Sequence, residues 1–143
     1  MKRVLIPIDG SDCALRAVAL VIGKRALYLA PDDLEIHLIN VQAPFSSDIS
    51  RFASHQQISE FHRQQSEEAL RGARQLLDAA GIKYRCHLEV GHVAETITAH
   101  ASALACDQIV MGTHGRGAFK ELVMGSIPLK VLALTSVPVL LVK

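Results

Sequence analysis

The chain contains no tryptophan and only three cysteines, and neither its charges nor its apolar residues form a long uniform run. The cysteines, Cys13, Cys86 and Cys106, are widely spaced and form no CxxC pair. Neither a disulfide framework nor a thiolate zinc site is therefore expected. Lys2 and Arg3 precede only five residues of an apolar run, which is too short for the apolar region of a signal peptide. These features favour a reduced, cytoplasmic setting.

Charge and length exclude two further classes of function. The 15 basic side chains nearly cancel the 14 acidic ones, and no cluster of Lys and Arg could neutralise several phosphates of a nucleic acid. No apolar segment approaches the roughly 20 residues that span a bilayer. At 143 residues, 50% of them apolar, the chain is about one domain long and can bury a substantial core. We therefore expect one domain over residues 1–143, with neither nucleic acid nor membrane as a partner.

Short apolar runs alternate with segments of helical periodicity along the chain. The runs predict five strands, at residues 4–8, 34–41, 82–90, 109–112 and 137–142. Strands that alternate with helices form parallel units with right-handed crossovers. The sequence therefore predicts an α/β fold with a doubly wound five-stranded parallel sheet and helices on both faces.

Four helices are predicted between these strands. The first begins near Ser11 or Asp12 and continues to Pro31, because either polar residue can cap a helix and proline cannot continue one. The second, long helix ends at Gly81, a residue suited to a left-handed C-terminal position. The other two follow the third and fourth strands. Residues 42–54 contain Pro, Ser and Phe without periodicity and predict an exposed loop.

The strand order follows from which strands suit a sheet edge. Apolar and polar residues alternate over 82–90, so one face of this strand is expected to be wet. Pro138 lacks an amide hydrogen and also suits an edge. With the third and fifth strands outermost, the order is 3-2-1-4-5 and reverses between the first and fourth strands. Ligands of such sheets bind beyond the carboxyl ends of the strands at this point.

A pattern of glycines lies at the same point. Gly112 ends the fourth apolar run, Gly115 follows after two further residues, and Gly125 with Ser126 follows after nine more. A strand end, a glycine-bearing loop and a helix start together suit an anion, because they offer backbone amides and a positive dipole end. The predicted order would bring Asp9, at the end of the first strand, opposite this loop.

With these features the chain resembles the universal stress protein family. The resemblance extends through the whole chain, and its segments are the opening residues 4–11, the turn at Gly91 and His92, the glycine pattern and the closing residues 137–142. Nucleotide-binding members keep this glycine spacing, so the resemblance implies a stress-response or signalling module that binds ATP, or AMP or a related adenine nucleotide, with Mg²⁺ carried by the triphosphate. It implies a cofactor site formed by Pro7, Ile8, Asp9, Val41, Met111, Gly112, Gly115, Arg116, Gly125, Ser126 and Ile127.

Several of these residues keep a second interpretation. Asp9 either accepts hydrogen bonds from the adenosine or caps the first helix. Arg116 either reaches phosphate or is solvated, and His114 is either a spacer or a phosphate contact. The chain departs from the commoner family pattern at Val93, where many members have proline, and at Pro128, where a polar residue is more usual. Pro128 removes one amide from the first turn of the last helix.

Three functions from different classes remain open. The first is the ATP-binding module. The second is a slow ATP hydrolase or an autophosphorylating protein with Ser126 as acceptor, although no GxxxxGK[ST] motif is present. The third is an adaptor that needs no nucleotide. The apolar edge segment that begins at Val137 and ends at Val142 also predicts a homodimer, since a second copy would cover it.

Overall fold

The computed structural model describes residues 2–27, 31–115 and 124–143. Its five strands are all parallel and form one sheet in the order β3-β2-β1-β4-β5. The predicted α/β class and the order 3-2-1-4-5 are therefore confirmed. The strands are β1 (Arg3–Pro7), β2 (Glu35–Gln42), β3 (Tyr84–Val90), β4 (Gln108–Gly112) and β5 (Val139–Val142).

Helices cover both faces of this sheet. On one face the core residues of β1 and β2 pack with those of α1 and α3, and on the other face Ile39 and Ile109 pack with α4 and α5. The central strand β1 lies between these two layers, so Val4, Leu5 and Ile6 are fully buried. The helices are α1 (Asp12–Lys24), α2 (Ser47–Ser50), α3 (His55–Ala79), α4 (Val93–Ala103) and α5 (Ser126–Leu134).

Local capping explains where the first helices begin and where the long one ends. Ser11 is the N-cap of α1, and its hydroxyl accepts a hydrogen bond from the amide of Ala14. Ser54 and Gln57 form a reciprocal capping box at the start of α3, which satisfies two amides that the helix leaves without partners. Gly81, just beyond α3, has a φ of 66°, as its predicted C-terminal role requires.

The structure corrects several predicted boundaries. The first helix ends at Lys24 and continues only as the 3₁₀ turn Arg25–Leu27, so its prediction up to Pro31 was wrong. The segment 42–54, predicted as a loop, contains the short helix α2. The third and fifth strands each begin two residues later than predicted. Within the described residues, no helix is long and apolar enough to cross a membrane.

Candidate functional site

A cavity of about 520 Å³ lies beyond the carboxyl ends of β1, β2 and β4. This is the topological switch point of the sheet, and the volume is within the range of small-ligand sites, about 300–1,000 Å³. All the sequence-predicted site residues in the described part of the chain line it, whereas Arg116 lies outside the described residues. The lining consists of Pro7, Ile8, Asp9, Ala14, Ile39, Asn40, Val41, Val93, Ile97, Met111, Gly112, His114, Gly115, Gly125, Ser126, Ile127 and Pro128.

Asp9 faces the glycine loop across this cavity. A Cβ atom added to Gly115 would lie 2.5 Å from the carboxylate oxygen Oδ2 of Asp9. Two non-bonded atoms do not approach this closely, so the carboxylate would have to move. The other oxygen, Oδ1, accepts a hydrogen bond of 2.9 Å from the amide of Ser11. Because Ser11 is itself the N-cap of α1, the alternative that Asp9 caps this helix was wrong. The Asp9 carboxylate is held at the cavity by the turn that precedes the helix.

Gly112, at the end of β4, must be a glycine for a different structural reason. A Cβ atom on Gly112 would lie 2.6 Å from the Cβ of Cys13 and 2.9 Å from its carbonyl carbon. The missing side chain therefore allows β4 to pack directly against the first turn of α1. Gly112 is required by this packing whether or not a ligand occupies the cavity that it also lines.

The start of α5 contributes backbone amides to the cavity wall. The N-cap is Gly125, which has no side chain that could cap the helix. Its amide donates to the carbonyl of Thr113 at 2.7 Å. The first amides of a helix have no partner within it. Pro128 has no amide hydrogen, and Leu129 already donates to the Gly125 carbonyl. Among the described residues, the donors that this turn presents are therefore the amides of Ser126 and Ile127, at the positive end of the helix dipole.

The opposite wall is formed by the end of β2. The amide of Ile8 donates to the carbonyl of Ile39, and that of Gly91 donates to the carbonyl of Gln42. Neighbouring residues of a parallel strand turn their backbone groups to opposite sides, so Val41 faces the same side as Ile39. β1 ends at Pro7, and the amide and carbonyl of Val41 consequently face a region that this strand has left open.

Asn40 was not among the sequence-predicted site residues. It is almost fully buried, its side-chain amide donates to the carbonyl of Ile8 at 2.7 Å, and its oxygen accepts from the side chain of Gln42 at 2.8 Å. These bonds fix the peptide that joins Ile8 to Asp9. A single polar residue inside an apolar run was the available signal, because such a side chain needs a partner when it is buried.

Other lining residues were missed because they are apolar and carry no functional signature in the sequence. Ile39, Ile97 and Met111 belong to one core cluster beneath the cavity, and of these only Met111 was predicted. Register could have indicated Ile39, which is opposite Pro7 in the ladder of β1 and β2. The remaining unpredicted lining residues are Ala14, Val93 and Pro128.

Charge is sparse in the described part of this lining. Asp9 and His114 are its ionisable side chains, and the described lining contains no Lys or Arg. The ring nitrogen Nδ1 of His114 lies 2.9 Å from the hydroxyl of Thr113. An anion in this part of the site would therefore depend on backbone amides and the helix dipole, while Asp9 would repel it at close range.

The model of the universal stress protein family matches residues 1–143. The chain belongs to this family. Universal stress protein MJ0531 of Methanocaldococcus jannaschii is 32% identical to it, over 99% of this chain and 82% of the relative.

Two solved structures illustrate the shared fold. The structure of MJ0577, from the same archaeon, superposes on this universal stress protein with a TM-score of 0.81 and 26% identity, and the match covers 99% of this chain and 95% of the other. A family member from Arabidopsis thaliana has a TM-score of 0.67 and 15% identity over 100% of this chain and 92% of its own. That plant protein was solved with AMP bound.

Proposed function

We propose that this universal stress protein binds an adenine nucleotide, principally ATP, in the cavity at the switch point and acts as a stress-response or signalling module in the cytoplasm. The observation that carries the proposal is the meeting of three groups around one cavity: the Asp9 carboxylate, the close-approach glycine Gly115 and the amides at the start of α5. The AMP bound by the plant relative supports the same ligand class.

The adenosine would lie between Asp9 and the end of β2. Val41 offers a backbone donor and acceptor there, which suits the edge of adenine, and Ile39 and Ile97 offer apolar surface for its ring. A carboxylate accepts hydrogen bonds from hydroxyl or amino groups with charge assistance. Asp9 therefore suits the ribose hydroxyls or the adenine amino group better than it suits phosphate.

The phosphates would lie at the other end, against the glycines and α5. Ser126 has a hydroxyl and an amide, Ile127 has an amide, and both residues are in the first turn of the helix. These are the groups that bind phosphate at helix N-termini. Mg²⁺ would enter as part of the ATP complex, since triphosphates normally carry it.

Calorimetric titration with ATP, AMP and adenosine tests the proposal. Gly115→Ala is the informative variant, because its Cβ would displace the Asp9 carboxylate while Gly115 itself is exposed. We expect wild-type protein to release heat on binding ATP, and we expect Gly115→Ala to bind roughly tenfold or more weakly, as the loss of a charge-assisted hydrogen bond predicts. Gly23→Ala is the matched control, because nothing lies within 4 Å of its added Cβ.

Removing the charge of Asp9 gives a second variant, and the sign of its effect on ATP affinity distinguishes the two orientations of the ligand. If Asp9 contacts the adenosine, Asp9→Asn should weaken ATP and adenosine by similar factors. A variant that binds ATP more tightly would show that the carboxylate faces phosphate, and the proposed orientation would then be wrong. Wild-type protein that binds neither ATP nor AMP, and that gains no thermal stability from either, would favour an adaptor that needs no nucleotide.

Homodimerisation through β5 is the second part of the proposal. β5 is an edge of the sheet, and α5 and β5 expose large apolar side chains at Leu129, Leu132, Leu134 and Leu140. An uncovered apolar edge favours pairing with another strand. We expect Leu140→Lys to halve the mass measured by light scattering, whereas Leu76→Lys, at an exposed apolar position of α3, should leave it unchanged. A monomeric wild-type protein would contradict this expectation.

A further inference from the structure

Three histidines meet on the α4 side of the sheet, and none of them lines the cavity. The ring nitrogen Nδ1 of His37, in β2, lies 2.9 Å from Nε2 of His87, in β3. The ring of His100, in α4, packs edge-on against His87 with 5.3 Å between the ring centroids. We call these three residues the histidine cluster. It connects the edge strand β3 to both of its neighbours on this face.

One ring of the cluster is almost fully buried, whereas His87 and His100 are half-buried. His37 is only 1% exposed, and its second ring nitrogen, Nε2, is buried without a hydrogen-bond partner in the described part of the chain. The nearest charge to this nitrogen is the carboxylate of Glu35, at 3.5 Å. Since a buried polar group is normally paired, the arrangement requires an explanation.

The number of protons bound determines whether the contact between His37 and His87 can persist. A hydrogen bond between two rings requires a hydrogen on one of the facing nitrogens and a lone pair on the other. One added proton preserves this condition, because a charged ring can still donate to a neutral one. A second proton places a hydrogen on both nitrogens at 2.9 Å, and the contact then becomes repulsive. The pair therefore titrates as a coupled unit.

The surroundings favour the neutral rings. Burial, as the largest cause, lowers the pKa of both His37 and His87. The charged groups that act on the pair are Arg3 from β1, Glu35 from β2, Arg85 and Glu89 from β3, and His100 from α4. Glu35 raises the pKa of His37 and the two arginines lower it. Glu89 raises the pKa of His87, whereas His37, His100 and Arg85 lower it.

The direction of these pKa shifts determines how the stability of the protein changes with pH. A histidine with a lowered pKa in the folded state binds fewer protons there than in the unfolded chain. Its contribution to stability is present above the ordinary histidine value of 6.5 and is lost as the pH falls below it. The cluster therefore weakens on acidification.

We propose that the histidine cluster is an acid-sensitive switch that holds β3 against β2 at neutral pH and loosens this edge strand when the pair of His37 and His87 gains its second proton. β3 is suited to such loosening, since it is at the margin of the sheet and, among the described strands, β2 alone forms a hydrogen-bonded ladder with it. The switch does not require a bound nucleotide. It would nevertheless affect the cavity, because His87 is opposite Ile39, a cavity-lining residue, in the ladder of β2 and β3.

Hydrogen exchange of the nucleotide-free protein tests this switch. We expect the protection of the β3 amides, relative to those of β1 and after correction for intrinsic exchange, to fall about tenfold as the pH is lowered from about 7.5 through the second protonation of the pair, as expected for one lost buried hydrogen bond. His87→Gln can keep a hydrogen bond to His37 but cannot titrate, so it should remove most of this change. His55→Gln, at an exposed position of α3, should behave as the wild type.

A pH titration of the histidine rings, followed by NMR in the wild-type protein, provides a second measurement. It does not require any variant to fold. Coupled titration of His37 and His87 in two steps, with the loss of β3 protection following the second, is the result expected. Independent titration of the two rings near the ordinary histidine value would overturn the proposal. Protection of β3 that does not change with pH, or a pH dependence that persists in His87→Gln, would overturn it equally.

Discussion

The replacement Gly112→Ala separates the packing role of the glycine pattern from its proposed binding role. Unstrained carbon atoms approach to about 3.5–4.0 Å, but the new Cβ would lie 2.6 Å from the Cβ of Cys13. The overlap is therefore about 1 Å. Rotation of a side chain cannot relieve it, because the Cys13 carbonyl carbon is also only 2.9 Å away. The start of α1 must move relative to β4.

Overpacking of this kind costs about 1–3 kcal/mol, and the backbone contact favours the upper end of that range. At about 3–5 °C per kcal/mol for a chain of this size, we expect a fall of roughly 10 °C in Tm, measured by circular dichroism without nucleotide. Gly23→Ala is the matched control. Its Cβ meets nothing within 4 Å, and alanine in a helix is more stable than glycine by about 0.5–1 kcal/mol, so its Tm should rise. A Gly112→Ala protein with the wild-type Tm would refute the close packing of β4 on α1.

Three further predictions concern the site and its supports. Pro128→Ala restores a first-turn amide of α5, and calorimetry should find ATP bound several times more tightly while adenosine is unchanged, since one more donor would face phosphate. Asn40→Leu leaves the carbonyl of Ile8 without its buried donor and should lower the free energy of unfolding in urea by about 1–3 kcal/mol. Asp107 accepts hydrogen bonds from two amides at the start of β1, and these bonds lower the pKa of its carboxyl group. The stability that Asp107 contributes should therefore disappear as the pH falls through and below 3.8. Asp107→Asn should reduce this loss in an acid denaturation experiment.

The sheet could be predicted from the sequence because its strands differ in pattern. Val4, Leu5 and Ile6 form an uninterrupted apolar run and are buried on both faces, whereas the alternating residues 82–90 contain the edge strand β3. Pattern alone therefore distinguished the centre of the sheet from its margin. α2 was missed because a helix of four residues is too short to develop an apolar period, and its N-cap, Ser46, makes no side-chain capping bond.

The site could be predicted only in part, for a related reason. Topology brings Asp9 and Gly115 together, so a strand order derived from patterns was enough to predict that they face each other. The partner of Asn40 is a carbonyl 32 positions away, and no local spacing reveals such a contact. Gly112 is likewise required because α1 packs against β4, and the spacing of the glycines carries no information about that contact.

An amide NMR titration of the wild-type protein with ATP and Mg²⁺ would show directly whether the cavity binds the nucleotide. We expect saturable shifts at the cavity, at Asp9, Val41, Gly115 and the first turn of α5, with little change at the opposite end of the sheet around Tyr84. No saturable shifts, or shifts centred on that opposite end, would contradict the proposal that this cavity binds an adenine nucleotide.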